Sequence, residues 1–417
     1  MKAEPVRRSS SSTVVTTDRD NSAERTLSTF LTLSMSVAAG VAVANIYYNQ
    51  PMLGIMKRDL PGPITNFIPT ATQLGYAAGL FLLVPVGDIL ERKRLIVLQF
   101  VLQFVLQFVL LAFALAGTAN APSAGILLAA SVVVGAMATV AQQIVPFAAH
   151  LSSPERRGHT IGVVMAGLLG GILLSRTLAG VVATYAGWRQ MFWLSVPIAL
   201  GAGFLMAWCL PTSKPDTRLH YRQLLASLTG LWKEFSELRL AAFTQGLLFA
   251  AFSVFWTTLA LHLQQPDFGL GADAAGLFGV VGVVGILAAP FAGRVADRHG
   301  PHRIIILGTV LTFVSWGVFG LWNSLTGLIV GVVVLDFAIQ SALVSNQHIV
   351  YALRPEARAR LNTIFMGTMF LGGSMGSAVA MLAWPSYGWT GTVILGAALS
   401  LLATFLQIRS WLEIKKR

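Results

Sequence analysis

Twelve apolar runs, each long enough to cross a lipid bilayer as a helix, limit this chain more than any other feature. A membrane-spanning helix needs about 20 mostly apolar residues. Only 11% of the residues are charged, whereas a soluble domain carries roughly 25%. The pattern therefore predicts an all-α integral membrane protein with twelve transmembrane helices. Numbered as spans 1 to 12 in chain order, the runs lie near residues 27–50, 65–90, 95–116, 123–149, 160–184, 188–210, 240–263, 273–293, 304–322, 325–352, 361–384 and 388–411.

The positions of the basic residues predict the orientation of these spans. Of the 29 Lys and Arg residues, 25 lie in the terminal segments or in alternate connections that all fall on one side. Because basic loops stay on the cytoplasmic side of a membrane, both termini are predicted to be cytoplasmic. The same topology explains the net charge of +12 without nucleic acid as a partner. Residues 1–26 lack the apolar core of a signal peptide and are predicted to form a disordered cytoplasmic tail.

The longest internal connection, residues 211–239, divides the spans into six and six. We therefore expect an N-terminal six-helix bundle over residues 27–210, a cytoplasmic linker, a C-terminal six-helix bundle over 240–412 and a second cytoplasmic tail over 413–417. In many transporters two such bundles face each other across a binding site near the middle of the membrane. The arrangement predicts a central site between the two halves.

Two cytoplasmic loops, after spans 2 and 8, carry related sequences. Each places an aspartate at the end of a helix and basic residues after it, in "GDILERKR" from Gly87 and "GRVADRHG" from Gly293. These loops resemble the signature G-x-x-x-D-R-x-G-R-[RK] of the major facilitator superfamily and its second, degraded copy. The resemblance implies that the loops latch the cytoplasmic side and control conformational switching. The matching positions are Asp88, Arg92 and Lys93 in the first loop and Gly293, Asp297, Arg298 and Gly300 in the second.

Span 5 resembles the glycine motif of antiporters in that superfamily. The motif is kept at Gly158, Gly167 and Gly171, but Ile172 replaces its proline and Ser175-Arg176 replaces its closing glycine pair. The stretches "ANIYYNQPML", "LLSRTLAG" and "GWRQMF" further resemble bacterial members of the twelve-span drug–proton antiporter branch, which includes exporters of purine nucleosides and sugars. The resemblance implies a monomeric, cofactor-free transporter of the bacterial inner membrane. It would export a small organic solute or drug in exchange for protons by alternating access, with membrane lipid as its surroundings.

The altered glycine motif leaves other functions open. One alternative is an importer or facilitator of a small polar solute, and a more remote one is a membrane sensor that transports nothing. An enzyme is not expected, because the chain lacks H-E-x-x-H and any credible pair of nucleophile and base. No G-x-x-x-x-G-K-[ST] loop for ATP is present. The scattered histidines predict no metal site.

Asp336 and Arg176 are the charged residues that lie deepest in the spans. Asp336 lies about 11 residues, or roughly 16 Å, from the outer end of span 10, and Arg176 about 8 residues, or roughly 12 Å, from the outer end of span 5. A carboxylate at such depth costs about 2.5–3.5 kcal/mol unless it is neutral, paired or hydrated, and a guanidinium does not deprotonate. We therefore hypothesise a pair between the halves that protonation of Asp336 loosens. In the alternative, Asp336 is a structural carboxylate and Arg176 bonds to backbone carbonyls and polar side chains.

Amide and aromatic side chains recur in spans 1, 4, 7 and 10, which by resemblance line the substrate cavity. Such groups can hydrogen-bond and stack on a small ring-bearing or polyhydroxy solute. The same side chains can instead form hydrogen bonds between helices. The candidate cavity residues are Asn45, Tyr48, Asn49, Gln142, Gln143, Gln245, Trp256, Gln340 and Gln347.

Overall fold

A computed structural model describes residues 29–88, 93–99, 101, 122–153, 156–211, 220–282 and 300–416, and every regular element within them is a helix. The predicted all-α architecture is confirmed. The helices of the first half are Thr29–Tyr47 and Asn49–Asp59 (span 1), Ile68–Leu82 (span 2), Pro122–Ala138 and Val140–Leu151 (span 4), Arg157–Ala186 (span 5) and Trp188–Cys209 (span 6). The later helices are Tyr221–Glu234 in the linker, Ser236–Leu263 (span 7), Ala272–Val281 (span 8), Pro301–Leu321 (span 9), Leu325–Leu353 (span 10) and Arg358–Lys416 (spans 11 and 12).

Eight helical segments in the described part of the chain are long and apolar enough to cross a membrane. The two helices of span 1 form one such segment, and spans 11 and 12 form another. The described helix of span 2 is shorter, and that of span 8 is described only as far as Val281. Most of span 3 lies outside the described residues.

Span 1 extends further than the apolar run near residues 27–50 predicts. The segment Thr29–Asp59 pauses at Tyr48 and then continues as a second helix. Pro51 occupies the first turn of that second helix, where its missing N–H removes no hydrogen bond. Lys57 and Arg58 lie in its last turn, where cations interact favourably with the helix dipole. The proline and the two cations are therefore compatible with a helix that continues to Asp59.

Spans 11 and 12 are joined without a loop. The helix Arg358–Lys416 is interrupted only at Gly388, whose φ of 51° lies in the left-handed region. A glycine adopts that conformation without the steric cost that a side chain would add. The junction lies where the sequence predicts the boundary between the two spans, while the helix extends past residue 412 to Lys416.

The two halves meet along spans 5 and 8 and along spans 2 and 11, and the end of span 1 packs on span 7. Small residues allow this approach. A Cβ on Gly276 would lie 2.6 Å from the carbonyl oxygen of Arg176, and one on Gly180 would lie 2.3 Å from that of Ala272. Without the glycines, spans 5 and 8 would be forced apart.

Contacts at the predicted outer ends close that side of the molecule. Leu53 of span 1 is buried in one apolar cluster with Leu261 of span 7 and Met381 of span 11. Phe67 and Trp384 pack around the cluster. The halves are therefore in contact at their outer ends in the captured state.

The cytoplasmic linker also contacts both halves. Tyr221, at the start of the linker helix, donates a hydrogen bond of 2.9 Å from its hydroxyl to the carbonyl oxygen of Leu82 in span 2. Glu234, at the end of that helix, forms an ion pair with Arg354 just after span 10. The linker helix thus lies against the predicted cytoplasmic ends of spans from both halves.

Candidate substrate and coupling site

Arg176 lies in a box of aromatic rings, near the predicted middle of span 5. Arg176 is buried, with only 3% of its surface exposed. The guanidinium carbon lies 3.7 Å from the ring centroid of Trp256, 4.7 Å from that of Tyr47 and 5.5 Å from that of Phe252. Its Nε donates a hydrogen bond of 3.1 Å to Oε1 of Gln50. We call Tyr47, Gln50, Phe252 and Trp256 the arginine box.

The arginine box joins the two halves of the protein. Tyr47 and Gln50 come from span 1 and Arg176 from span 5, all in the first half. Phe252 and Trp256 are one turn apart on span 7 in the second half, with ring centroids 6.0 Å apart. Any movement that separates span 7 from spans 1 and 5 therefore breaks the cation–π contacts of Arg176 with Phe252 and Trp256.

Two polar atoms in this region are buried without a partner. Nη2 of Arg176 and Nε1 of Trp256 have no hydrogen-bond acceptor among the described residues. Orphaned donors in an apolar interior are costly and are uncommon in folded proteins. A ligand group or water that accepted hydrogen bonds from these two donors would remove that cost.

Asp336 lies on span 10, which begins after Ser324, whose Oγ accepts a hydrogen bond of 3.2 Å from the N–H of Gly327. The aspartate is only 7% exposed. Span 8 connects it to the arginine box: a Cβ on Gly282 would lie 2.7 Å from Oδ2 of Asp336, and one on Gly279 would lie 3.2 Å from Cβ of Arg176. The two charged residues thus contact adjacent turns of one helix.

The hypothesised direct pair between Arg176 and Asp336 is not formed in this state. No ion pair joins the two side chains, both of which belong to the described residues. Their charges still interact through space. The physical reason is that the guanidinium is directed into the aromatic box and toward Gln50, and a direct pair remains a prediction for another state.

The predicted cavity residues of span 1 make contacts within the first half. Asn49 donates a hydrogen bond of 2.8 Å from Nδ2 to Oγ1 of Thr72 in span 2, and Asn45 donates one of 2.9 Å to the carbonyl oxygen of Val41 in its own helix. Tyr48 packs in an apolar cluster of the first half. The neighbouring Tyr47, which the sequence analysis did not select, occupies the position facing Arg176.

The amides of spans 4, 7 and 10 divide into half-buried and buried groups. Gln142, Gln340 and Gln347 are half-buried. Gln245 is buried and accepts a hydrogen bond of 3.2 Å at Oε1 from Nδ2 of Asn346, which links spans 7 and 10. Gln143 donates one of 3.4 Å to the carbonyl oxygen of Leu83 and so contacts span 2.

Partial exposure occurs toward the cytoplasmic side of the box. Phe252 is half-buried, whereas Trp256, one turn nearer the outside, is only 2% exposed. Gln340, one turn to the cytoplasmic side of Asp336, is likewise half-buried. Along span 7, Phe249 and Gln245, nearer the linker than Phe252, are buried again, so the partial exposure does not continue to the end of that helix.

Most of the predicted gating residues cannot be placed. Arg92, Gly293, Asp297 and Arg298 lie outside the described residues, and for Asp88 only the backbone is described, at the end of the short 3₁₀ helix Pro85–Asp88. Lys93 begins a helical segment over residues 93–99. Gly300 precedes span 9 with a φ of 83°, a conformation that favours glycine.

The sequence of the chain matches the profile of the Major Facilitator Superfamily over residues 35–287 and 241–415. The chain belongs to the major facilitator superfamily. It is 41% identical over 383 residues to the uncharacterized transporter YgaY of Escherichia coli O157:H7, covering 90% of this chain and 94% of that protein. It is 31% identical over 369 residues to the probable transporter SCO4007 of Streptomyces coelicolor, covering 87% and 84% of the two chains.

The fold is that of known members of the superfamily. The partially occluded, inward-open structure of the xylose transporter XylE from Escherichia coli superposes with a TM-score of 0.69 at 14% identity. The match covers 91% of this chain and 97% of that one. The protein is therefore a multi-pass membrane transporter and not an enzyme.

Proposed function

We propose that the protein exports a small organic solute in exchange for protons, by alternating access around the arginine box. One observation carries the proposal: Arg176 is buried between rings from both halves, and the buried carboxylate of Asp336 lies against the same helix, span 8. Burying charges inside a membrane is costly, and ionisable residues found there are therefore taken as candidates for a functional site. The protein acts as a monomer in the bacterial inner membrane, with both termini in the cytoplasm.

Asp336 supplies the proton coupling in this proposal. An ionised Asp336 attracts Arg176 across the boundary between the halves, whereas a protonated Asp336 does not. A proton therefore changes the free-energy difference between the inward-open and outward-open states. Alternating access lets the carboxyl group bind the proton from one side of the membrane and release it to the other.

The moving bodies are the two six-helix bundles, residues 27–210 and 240–412, and the solute binds between them. The half-buried Gln142, Gln340 and Gln347 lie on the path from the cytoplasm, and Gln245 and Asn49 hold their neighbours in place. The loops at 88–93 and 293–300 latch the cytoplasmic side when the outer side opens.

Import of a small polar solute is the second candidate, and one observation favours it. Ser175 and Arg176 stand where the antiporter glycine motif of span 5 closes with two glycines. The replacement supports this candidate because Arg176 is the residue that contacts the rings of the arginine box. A change at this position alters the motif on which the export assignment depends.

Flux measurements with the purified, full-length protein in proteoliposomes test the proposal. A solute found by a thermal-stabilisation screen is followed under an imposed pH gradient, since a ligand of the folded state raises apparent stability. Flux driven outward from the cytoplasmic side by an opposing proton gradient supports export. Flux that is independent of the gradient supports a facilitator, and no flux with any solute supports a sensor.

Two substitutions give the coupling test its control. Asp336→Asn is expected to keep solute flux down a solute gradient but to lose its dependence on the pH gradient. Asp267→Asn, in an exposed loop after span 7, is expected to leave both unchanged. Unchanged proton dependence in Asp336→Asn would exclude the coupling role.

A further inference from the structure

The guanidinium of Arg176 is incompletely compensated in the arginine box. A guanidinium stays charged in proteins, and removing such an ion from water costs several kcal/mol. Its hydrogen bond to a described residue goes to the neutral amide of Gln50. The rings of Trp256, Tyr47 and Phe252 and the amide of Gln50 are all neutral, so they supply no counter-charge. The site therefore favours a further negative charge.

Asp336 supplies that charge only in part. It forms no direct ion pair with Arg176 in the described structure, although the two charges interact through space. When Asp336 is protonated, the buried positive charge of Arg176 is left without a counter-charge. An anion that enters the site would then complete it.

The free edge of the guanidinium fits such an anion. Gln50 holds Nε, and Nη2 is buried without an acceptor. The ring of Trp256 covers one face at 3.7 Å. An acceptor that entered in the plane of the guanidinium, at the Nη2 edge, would form short, charge-assisted hydrogen bonds of the kind that carboxylates and phosphates make with arginine.

We propose that Arg176 binds an anionic group of the transported solute and that the rings of Phe252 and Trp256 contact the solute's planar or apolar part. The inference rests on the proposed function, because it assigns a substrate class to the same site. Nε1 of Trp256 is a second buried donor without an acceptor in the same box. A small organic acid satisfies both the charge of the box and its aromatic surface.

Thermal unfolding of the purified, full-length protein tests the charge requirement. The probes are a panel of aliphatic and aromatic carboxylic acids, including benzoate and nicotinate, each paired with its neutral amide. At least one acid is expected to raise the unfolding temperature while its amide does not. Equal stabilisation by acids and amides, or no stabilisation by any acid of the panel, overturns the inference.

Variants assign the effect to Arg176. Arg176→Gln is expected to weaken binding of the stabilising acid by at least about 30-fold, because a buried charge pair is lost. Arg176→Lys keeps the charge but not the planar fork, and it is expected to bind with intermediate affinity. If Arg176→Gln does not fold, Arg176→Lys still tests whether the acid binds at this side chain. Arg58→Gln, at an exposed basic residue in span 1, is the matched control and is expected to bind normally.

Flux measurements separate this inference from the proposed function. If a neutral solute is transported with dependence on Asp336, and Arg176→Gln transports it normally, the anion site is refuted and the transport function stands. If the acid binds through Arg176 but no solute crosses the membrane, the transport function is refuted and the anion site stands. Flux of the acid that Arg176→Gln abolishes supports both.

Discussion

The guanidinium carbon of Arg176 in span 5 lies 3.7 Å from the ring centroid of Trp256 in span 7. This cation–π contact joins opposite halves of the protein. The contact is buried, since the two residues are 3% and 2% exposed. It is a bond between the halves that exists only while span 7 lies against spans 1 and 5. The proposed alternating access requires this contact to break and form again in each cycle.

The first prediction separates the aromatic contact from simple packing. Trp256→Phe keeps a ring over the guanidinium, whereas Trp256→Leu keeps apolar volume but no ring. A desolvated cation–π contact contributes about 2 kcal/mol, so Trp256→Leu is expected to be less stable than Trp256→Phe by about that amount. Denaturant or thermal unfolding of the purified protein measures the difference. Trp316→Leu against Trp316→Phe, at a buried tryptophan in the apolar core of the second half, is the control pair. A difference no larger at Trp256 than at Trp316 would contradict the assignment.

The second prediction concerns the competition between Asp336 and an anionic solute. Both negative charges interact with Arg176 in a low-dielectric site, where charge interactions are stronger than in water. Asp336→Asn removes the competitor, so binding of the stabilising acid at neutral pH is expected to strengthen about tenfold, or about 1.4 kcal/mol. Titration calorimetry or the concentration dependence of the unfolding temperature measures it. Weaker binding in Asp336→Asn would show that the two charges do not compete.

The third prediction uses the glycine that faces Asp336. A Cβ on Gly282 would lie 2.7 Å from Oδ2 of Asp336, so Gly282→Ala displaces the carboxylate and is expected to impair proton-driven flux. Gly170→Ala is the matched control, because a Cβ on Gly170 meets no atom within 4 Å. The ratio of proton-driven to downhill flux in proteoliposomes is the measurement. Equal ratios in both variants would show that the carboxylate position does not matter for coupling.

The fold could be predicted because the length of each apolar run can be read directly from the sequence. Runs of about 20 apolar residues predict helices that cross a bilayer. The residues at which these helices end are harder to predict from the sequence. The extension of span 1 through Pro51 to Asp59 is polar enough to look like a loop, yet its proline sits where a helix tolerates it and its outer half packs on span 7.

The site could be predicted only in part, for a similar reason. A single charge in an apolar run is costly, so Asp336 and Arg176 stand out in the sequence. The rotation of span 1 about its own axis, in contrast, cannot be read from the sequence. In "IYYNQ" aromatic or polar groups point in every direction, and only packing shows that Tyr47 and Gln50 face Arg176 while Tyr48 enters an apolar cluster.

The last prediction tests the closed outer side. Thr70 of span 2 donates a hydrogen bond of 3.0 Å to Oγ of Ser377 in span 11, so the two hydroxyl oxygens join the halves. In a background where Cys209 is replaced by serine, oxidation of Thr70→Cys with Ser377→Cys is expected to form a disulfide, since the two side-chain oxygens that the sulfurs replace are 3.0 Å apart. The cross-link fixes the outer ends together, and transport is expected to stop until a reductant is added.

The same serine provides a control pair within one half. Thr257 of span 7 also donates a hydrogen bond of 3.0 Å to Oγ of Ser377, and both residues belong to the second half. A disulfide from Thr257→Cys with Ser377→Cys joins helices that move together as one body, so it is expected to leave transport largely intact. Cross-linking yield is read from the free thiols of the denatured protein, and flux from proteoliposomes before and after reduction. If the Thr70–Ser377 cross-link forms fully and transport continues, the halves do not separate at spans 2 and 11, and rocking of the two bundles about the arginine box is refuted.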